Sequence, residues 1–282
     1  GFIIVPDKIN EDAKIKGIND TRKLNIRSAG TWRSLGPVET FEEGGSLPIS
    51  FQVNVYCVDQ SKSNKDILYV GTEGAGIYKT NDKGLSWELS SSEIEVTSVE
   101  AVQIHPSNPD IVLAAGNRRI FRTKDGGENW DEVEFIDASG YVFRFNPDNP
   151  GEIFCGASNG LYHSIDSGDS WQKVFSESIW DIMYHPSNPQ IIYLLKNING
   201  QNMTGLWKSS NGGDSWNQIT QGWYQPENQA EAVEHGGKLG VTIADQDRVY
   251  AALIGDSKEG DSGWIGIFMS EDSGETLSLI HI

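Results

Sequence analysis

Apolar and polar positions along the chain alternate in short runs, not at helical spacing. Val53–Val58, Val99–Ile104, Tyr141–Phe145, Ile179–Tyr184 and Leu239–Ile243 each read as a strand with one face buried. A turn follows, and in His105–Pro109, Asn146–Pro150 and His185–Pro189 it has the form His/Asn-Pro-x-Asn-Pro. Second strands are predicted at Ile67–Val70, Ile111–Ala115, Glu152–Cys155, Ile191–Leu195 and Arg248–Leu253. Third strands follow at Ile77–Lys79, Ile120–Arg122 and Leu161–His163. Prolines fall in the turns, where a missing N–H costs the ladder nothing.

An eight-residue pattern closes each unit. It reads Thr-Asn-Asp-Lys-Gly-Leu-Ser-Trp at 80–87 and recurs at 123–130, 164–171, 209–216 and, with Leu in place of Trp, 270–277. The spacing from one Trp to the next is 43, 41 and 45 residues, and the step to Leu277 is 61. A period in the low forties is the size of one four-stranded propeller blade. The expected fold is therefore an all-β propeller of antiparallel blades at about 50–91, 97–135, 140–176, 178–220 and 238–282. Residues 31–36, similar to the strand after a box, are expected to close the last blade, so that 30–282 form the propeller and 1–29 a flexible leader or linker. The text after Glu275 departs from the repeat, which points to an incomplete ring and a longer parent protein.

Inside the pattern, Asp82, Asp125, Asp166 and Asp272 can accept hydrogen bonds from turn N–H groups, and Gly84, Gly127, Gly168, Gly213 and Gly274 supply a positive φ. Trp87, Trp130, Trp171 and Trp216 are long enough to reach a neighbouring blade. Asn211 stands where the other copies have Asp, keeping an acceptor but no charge, so the role is structural. The pattern Ser/Thr-x-Asp-x-Gly-x-x-Trp resembles the Asp-box (BNR) repeat of sialidases, sortilin-type receptors, xyloglucan hydrolases and photosystem II stability factors. The overall texture is most similar to sortilin N-terminal-like propellers of secreted bacterial proteins. The resemblance implies that the box hairpins lie on the face opposite the ligand site.

Charge narrows the partners. The chain carries 22 Lys and Arg against 40 Asp and Glu, a net charge of −18, which disfavours nucleic acid and anionic membranes. It holds no apolar run long enough for a membrane helix. Cys57 and Cys155 read as buried core residues, with a single bridge as the alternative. His105 and His185 read as turn residues, and no box continues as an acidic calcium loop, so neither a metal nor another cofactor is expected.

The long loops 196–204, 222–237 and 255–263 are the expected recognition elements. Trp223, Tyr224, Gln225, Asn228, Glu231 and His235, with Lys196 and Asn199, offer aromatic faces, amides and charges suited to a glycan or a peptide. The alternative reading of the middle loop is an insertion packed on itself around Trp223. One catalytic candidate remains. The segment 71–78 is similar to the stretch holding a catalytic Asp in xyloglucan hydrolases, and Glu73 occupies that place. The family's second acid would lie in a second propeller that this chain lacks, and the Phe-Arg-Ile-Pro stretch of sialidases does not occur. The expectation is a secreted or surface-exposed, non-catalytic propeller that binds a glycan or protein. A glycoside hydrolase fragment and a photosystem-type assembly factor are the alternatives.

Overall fold

The computed structural model describes residues 54–197, 204–223, 234–242, 248–255 and 264–280, all within the unit Gln52–Ile282. None of them is helical. The strands form five antiparallel four-stranded meanders. Blade 1 holds β1 (Val55–Gln60), β2 (Leu68–Thr72), β3 (Ile77–Thr80) and β4 (Glu88–Leu89). Blade 2 holds β5 (Val99–Ile104), β6 (Val112–Gly116), β7 (Arg119–Thr123) and β8 (Asp131–Phe135). Blade 3 holds β9 (Gly140–Phe145), β10 (Ile153–Ala157), β11 (Gly160–Ser164) and β12 (Gln172–Phe175). Blade 4 holds β13 (Ile179–His185), β14 (Asn188–Asn197), β15 (Thr204–Ser209) and β16 (Asn217–Ile219). Blade 5 holds β17 (Glu234–Val241), β18 (Val249–Gly255), β19 (Trp264–Ser270) and β20 (Ser278–Ile280).

The alternation predicts these strands to within a few residues, except that β17 begins at Glu234, well before Leu239, and β14 runs back into the Asn-Pro turn. The segment 31–36 and the remainder of 1–53 lie outside the described residues.

The first strand of each blade packs beside that of the next, β1 against β5, β5 against β9, β9 against β13 and β13 against β17. Among the described residues no sheet pairing joins these inner strands. Two carboxylates bridge the gap instead. Asp59 accepts from the Ile104 N–H at 2.8 Å, and Asp181 from the Leu239 N–H at 3.0 Å.

The core is divided into seams between consecutive blades. One cluster joins Tyr69 and Ile77 to Val99, Val102 and Trp130. A second joins Leu113 and Ile120 to Phe143 and Ile153, and a third joins Phe154 and Leu161 to Ile182 and Ile192. The fourth joins Tyr193 and Leu206 to Leu239 and Phe268. Within a seam the later blade presents the equivalent inner-strand residue to the earlier one. Val102, Phe143 and Ile182 are 8%, 2% and 0% exposed in that place. Val58, their counterpart in blade 1, is 61% exposed. Cys57 and Cys155 are free thiols in the first and second seams, with Cys155 fully buried.

Two box tryptophans, Trp130 and Trp216, reach across these seams as their length suggests. Trp130 is buried, meets Tyr69 of blade 1 edge-on, and donates its indole N–H to Ser90 Oγ at 3.2 Å. Trp216 lies against Phe154 and Phe175 of blade 3. In blade 5 Leu277 is too short for that span, and Trp223 fills the seam from the other side, packed on Phe268.

Candidate functional site

Two faces compete for function, and their hydrogen bonds tell them apart. On the first, each box hairpin folds around its own acid. Asp82 accepts from Thr80 Oγ1 (2.7 Å), Ser86 N–H (2.9 Å) and Ser86 Oγ (2.6 Å), while Gly84 N–H donates to Thr80 Oγ1 (2.9 Å). The same circuit recurs around Asp125, Asp166, Asn211 and Asp272. These bonds hold the carboxyls of Asp82, Asp125, Asp166 and Asp272 down at about 2, the side-chain donor being the largest cause in each. Gly127 shows why glycine is needed there. Its φ is +87°, and a Cβ would stand 2.3 Å from Ser90 Oγ.

The hairpins are tied to the turns between first and second strands. Lys83, Gly126, Ser167 and Gly212 donate their N–H groups to the carbonyls of Asp66, Asp110, Gly151 and Gln190. His105, Asn146 and His185 cap those turns, each accepting a backbone N–H two residues on. The box acids and the turn caps on this face are thus engaged locally.

The other face carries the loops between second and third strands, tied to the segments that enter each blade. Glu73, Asn117, Ser158 and Asn197 donate their N–H groups to Asn54, Ser98, Ser139 and Ser178. Just inside this face the inner strands slip. The pairing steps from Val55↔Thr72 to Cys57↔Gly71, from Val99↔Gly116 to Ala101↔Ala115, from Gly140↔Ala157 to Val142↔Gly156, and from Ile179↔Lys196 to Asp181↔Leu195. The residues skipped are Tyr56, Glu100, Tyr141 and Trp180. Each lies at the same distance from the residue paired with the box Ser or Thr, so the slip is a repeated β-bulge that re-aims one large side chain per blade. In blade 5 the slip falls between Glu234 and Gly236, two residues farther along β18.

The four skipped positions share one register on adjacent blades and are called the rim below. Tyr141 and Trp180 are stacked, with centroids 5.0 Å apart and planes at 9°. Trp180 donates its indole N–H to Asn197 Oδ1 at 2.9 Å, which fixes the ring. The hydroxyl of Tyr56 is pushed up by its hydrogen bond to Glu73, then by burial and by the charges of Glu73 and Glu100. Glu100 also pushes up Tyr141, after burial, so its charge acts on both tyrosines. Its own carboxyl is raised by burial, and Oε1 accepts from Ser98 Oγ at 3.0 Å. Glu100 Oε2 and, farther along β5, Gln103 Oε1 are buried without a hydrogen-bond partner among the described residues. The nearby cations are paired. Arg144 donates to Asp181 at 3.1 Å, and Lys196 lies 3.4 Å from Glu177.

Several expected ligand contacts fall elsewhere. Trp223 is 4% exposed and donates its indole N–H to the Thr204 carbonyl at 2.8 Å, so it is core in the blade 4–5 seam, not a loop contact. Lys196 is also 4% exposed, its ammonium 4.2 Å from the Trp207 ring centroid and 5.0 Å from that of Phe175. Both are legible only through their partners. Tyr224, Gln225, Asn228, Glu231 and Asn199 lie outside the described residues, and so does the side chain of His235. Glu73 is exposed, bonded to Asn54 Nδ2, and joins the rim through Tyr56. Tyr56, Glu100, Tyr141 and Trp180 are functional candidates that the alternation alone does not single out. Each is second in its observed inner strand, a place set by the register and not by the alternation.

The fold is shared with known proteins. The family model described as sortilin, neurotensin receptor 3 matches residues 118–248. An ancestral GH74 enzyme superposes with a TM-score of 0.66 at 19% identity, over 90% of this chain and 33% of its own. The GH74 xyloglucanase from Xanthomonas campestris gives 0.59 at 13% identity, over 78% and 38%. The extracellular domain of BT4673 from B. thetaiotaomicron gives 0.55 at 15% identity, over 82% and 28%. The chain therefore spans about a third of the length of these structures. No curated protein sequence matches it significantly. The repeated four-stranded blades and the seams between them make the chain a β-propeller, one that is similar to the sortilin family over residues 118–248.

Proposed function

We propose that this chain is a non-catalytic binding propeller, secreted or displayed at a cell surface, that receives a protein or glycan partner on the rim formed by the inner-strand bulges. The observation that carries this reading is the repetition of one bulge at one register in four adjacent blades. A bulge interrupts the ladder and re-aims a side chain, and such bulges are over-represented beside functional sites. Here it turns an aromatic or acidic side chain toward the face that the boxes leave free.

The test is a screen of immobilised peptides and oligosaccharides against the wild-type chain, Trp180→Ala and Glu128→Gln, the last an exposed residue in a box loop. Binding that survives Glu128→Gln and is lost in Trp180→Ala supports the rim. Equal binding by Trp180→Ala refutes it.

One observation favours a second reading. Glu73 and Glu100 come from adjacent blades, yet both act on Tyr56. Two carboxyls about a rim are the minimum equipment of a glycosidase, the more buried one serving as acid. Release of reducing sugar from xyloglucan, abolished separately by Glu73→Gln and by Glu100→Gln, would establish hydrolysis. Absence of release leaves binding alone.

A further inference from the structure

The chemistry of the rim narrows the class of partner, a narrowing that rests on the rim being the binding face. We propose that it recognises a cationic side chain, the ammonium of a lysine or the guanidinium of an arginine in an extended peptide. The cation would lie by Tyr56, Glu73 and Glu100, with a neighbouring peptide group on the Tyr141–Trp180 pair.

Three observations converge on this class. First, the bulges set Tyr56, Glu100 and Tyr141 at one register of adjacent blades, and Glu73 is tied beside Tyr56 through Asn54, so two carboxyls lie among aromatic rings. An anionic ligand would be repelled by both. Second, the nearby cations are already committed, because Arg144 is held by Asp181 and Lys196 by Glu177. Third, Tyr56, Tyr141 and Trp180 are aromatic, and their faces attract a cation most strongly where it is partly desolvated. A neutral sugar would use the aromatic rings but leave the charge of Glu73 and Glu100 unexploited. The net charge of −18 adds long-range attraction for a basic segment without choosing a site.

The experiment is an NMR titration of the full 15N-labelled chain, following the Trp180 indole N–H, assigned by its loss in Trp180→Phe. The probes are acetyl-Gly-Gly-Lys-Gly-Gly-amide, its arginine counterpart, its Nε-acetyl-lysine counterpart and cellohexaose. The lysine and arginine peptides should shift the resonance saturably, and the acetyl-lysine peptide should bind at least tenfold more weakly. Glu100→Gln should cost the lysine peptide a similar factor, while Glu128→Gln, which removes the same charge from the box face, should cost under twofold. Retention of the other indole resonances in Glu100→Gln shows that the variant is folded, and Glu73→Gln gives a second reading of the same charge. Equal affinity for the acetylated peptide, or equal losses in Glu100→Gln and Glu128→Gln, overturns the proposal. A shift by cellohexaose alone also overturns it while leaving the rim as a binding face. If no probe moves the resonance, cation recognition fails, and the rim itself is then judged by the Trp180→Ala screen.

Discussion

Truncating the box tryptophans one at a time separates a seam from a free face. Trp130 is 6% exposed, lies 6.3 Å from the Tyr69 ring at 81°, and holds Ser90 Oγ, which in turn donates to the Gly127 carbonyl at 2.8 Å. Burying an aromatic of roughly 150–250 Å² at about 25 cal/mol per Å² contributes some 4–6 kcal/mol as an upper bound. Alanine keeps part of that area, so Trp130→Ala is expected to destabilise by about 3–5 kcal/mol. Trp130→Phe keeps most of the ring and loses the bond to Ser90, costing about 1–2 kcal/mol. Trp87 has the same place in the motif but is only half-buried, in a blade whose Val58 is exposed, so Trp87→Ala is expected to cost about 1 kcal/mol. Urea unfolding followed by far-ultraviolet circular dichroism gives the midpoints and slopes. Equal losses for Trp87→Ala and Trp130→Ala would refute the idea that these indoles stabilise by bridging blades.

Other expectations come from the same contacts. The box carboxyls sit at about 2 when folded, below their ordinary unfolded value, so their contribution is complete above that value and is lost as pH falls toward 2. Urea midpoints measured between pH 5 and 2 should therefore drop steeply, less so in Asp125→Asn and more so in Asn211→Asp. Gly127→Ala forces a side chain into a left-handed backbone against Ser90 and Tyr69, and its thermal midpoint should fall by an amount equivalent to about 2–4 kcal/mol. Trp223→Ala should behave as a core truncation, costing about 3–5 kcal/mol in the same unfolding assay, because the ring lies in the blade 4–5 seam.

The blades are legible in the sequence because their signals are local. A box closes its hydrogen bonds within eight residues, and strand alternation needs no knowledge of the neighbour. The place of Trp223 is not legible, because it depends on Leu277, which replaces the tryptophan that the motif leads one to expect, far away in sequence but adjacent in the seam. Lys196 is hidden for a similar reason, since its aromatic cage comes from Phe175 and Trp207 on different blades. The rim is hidden because a bulge belongs to the register between two strands. Tyr56, Glu100, Tyr141 and Trp180 look like ordinary outward positions until the pairing shows that each has been skipped.

The most direct measurement is a crystal structure of the chain soaked with the lysine pentapeptide. Density for the peptide against Tyr56 and Glu100, with its backbone over the Tyr141–Trp180 pair, is the expected result. Peptide seated on the Asp82, Asp125 or Asp166 hairpins, with the rim unchanged, would contradict the assignment of recognition to the inner-strand bulges.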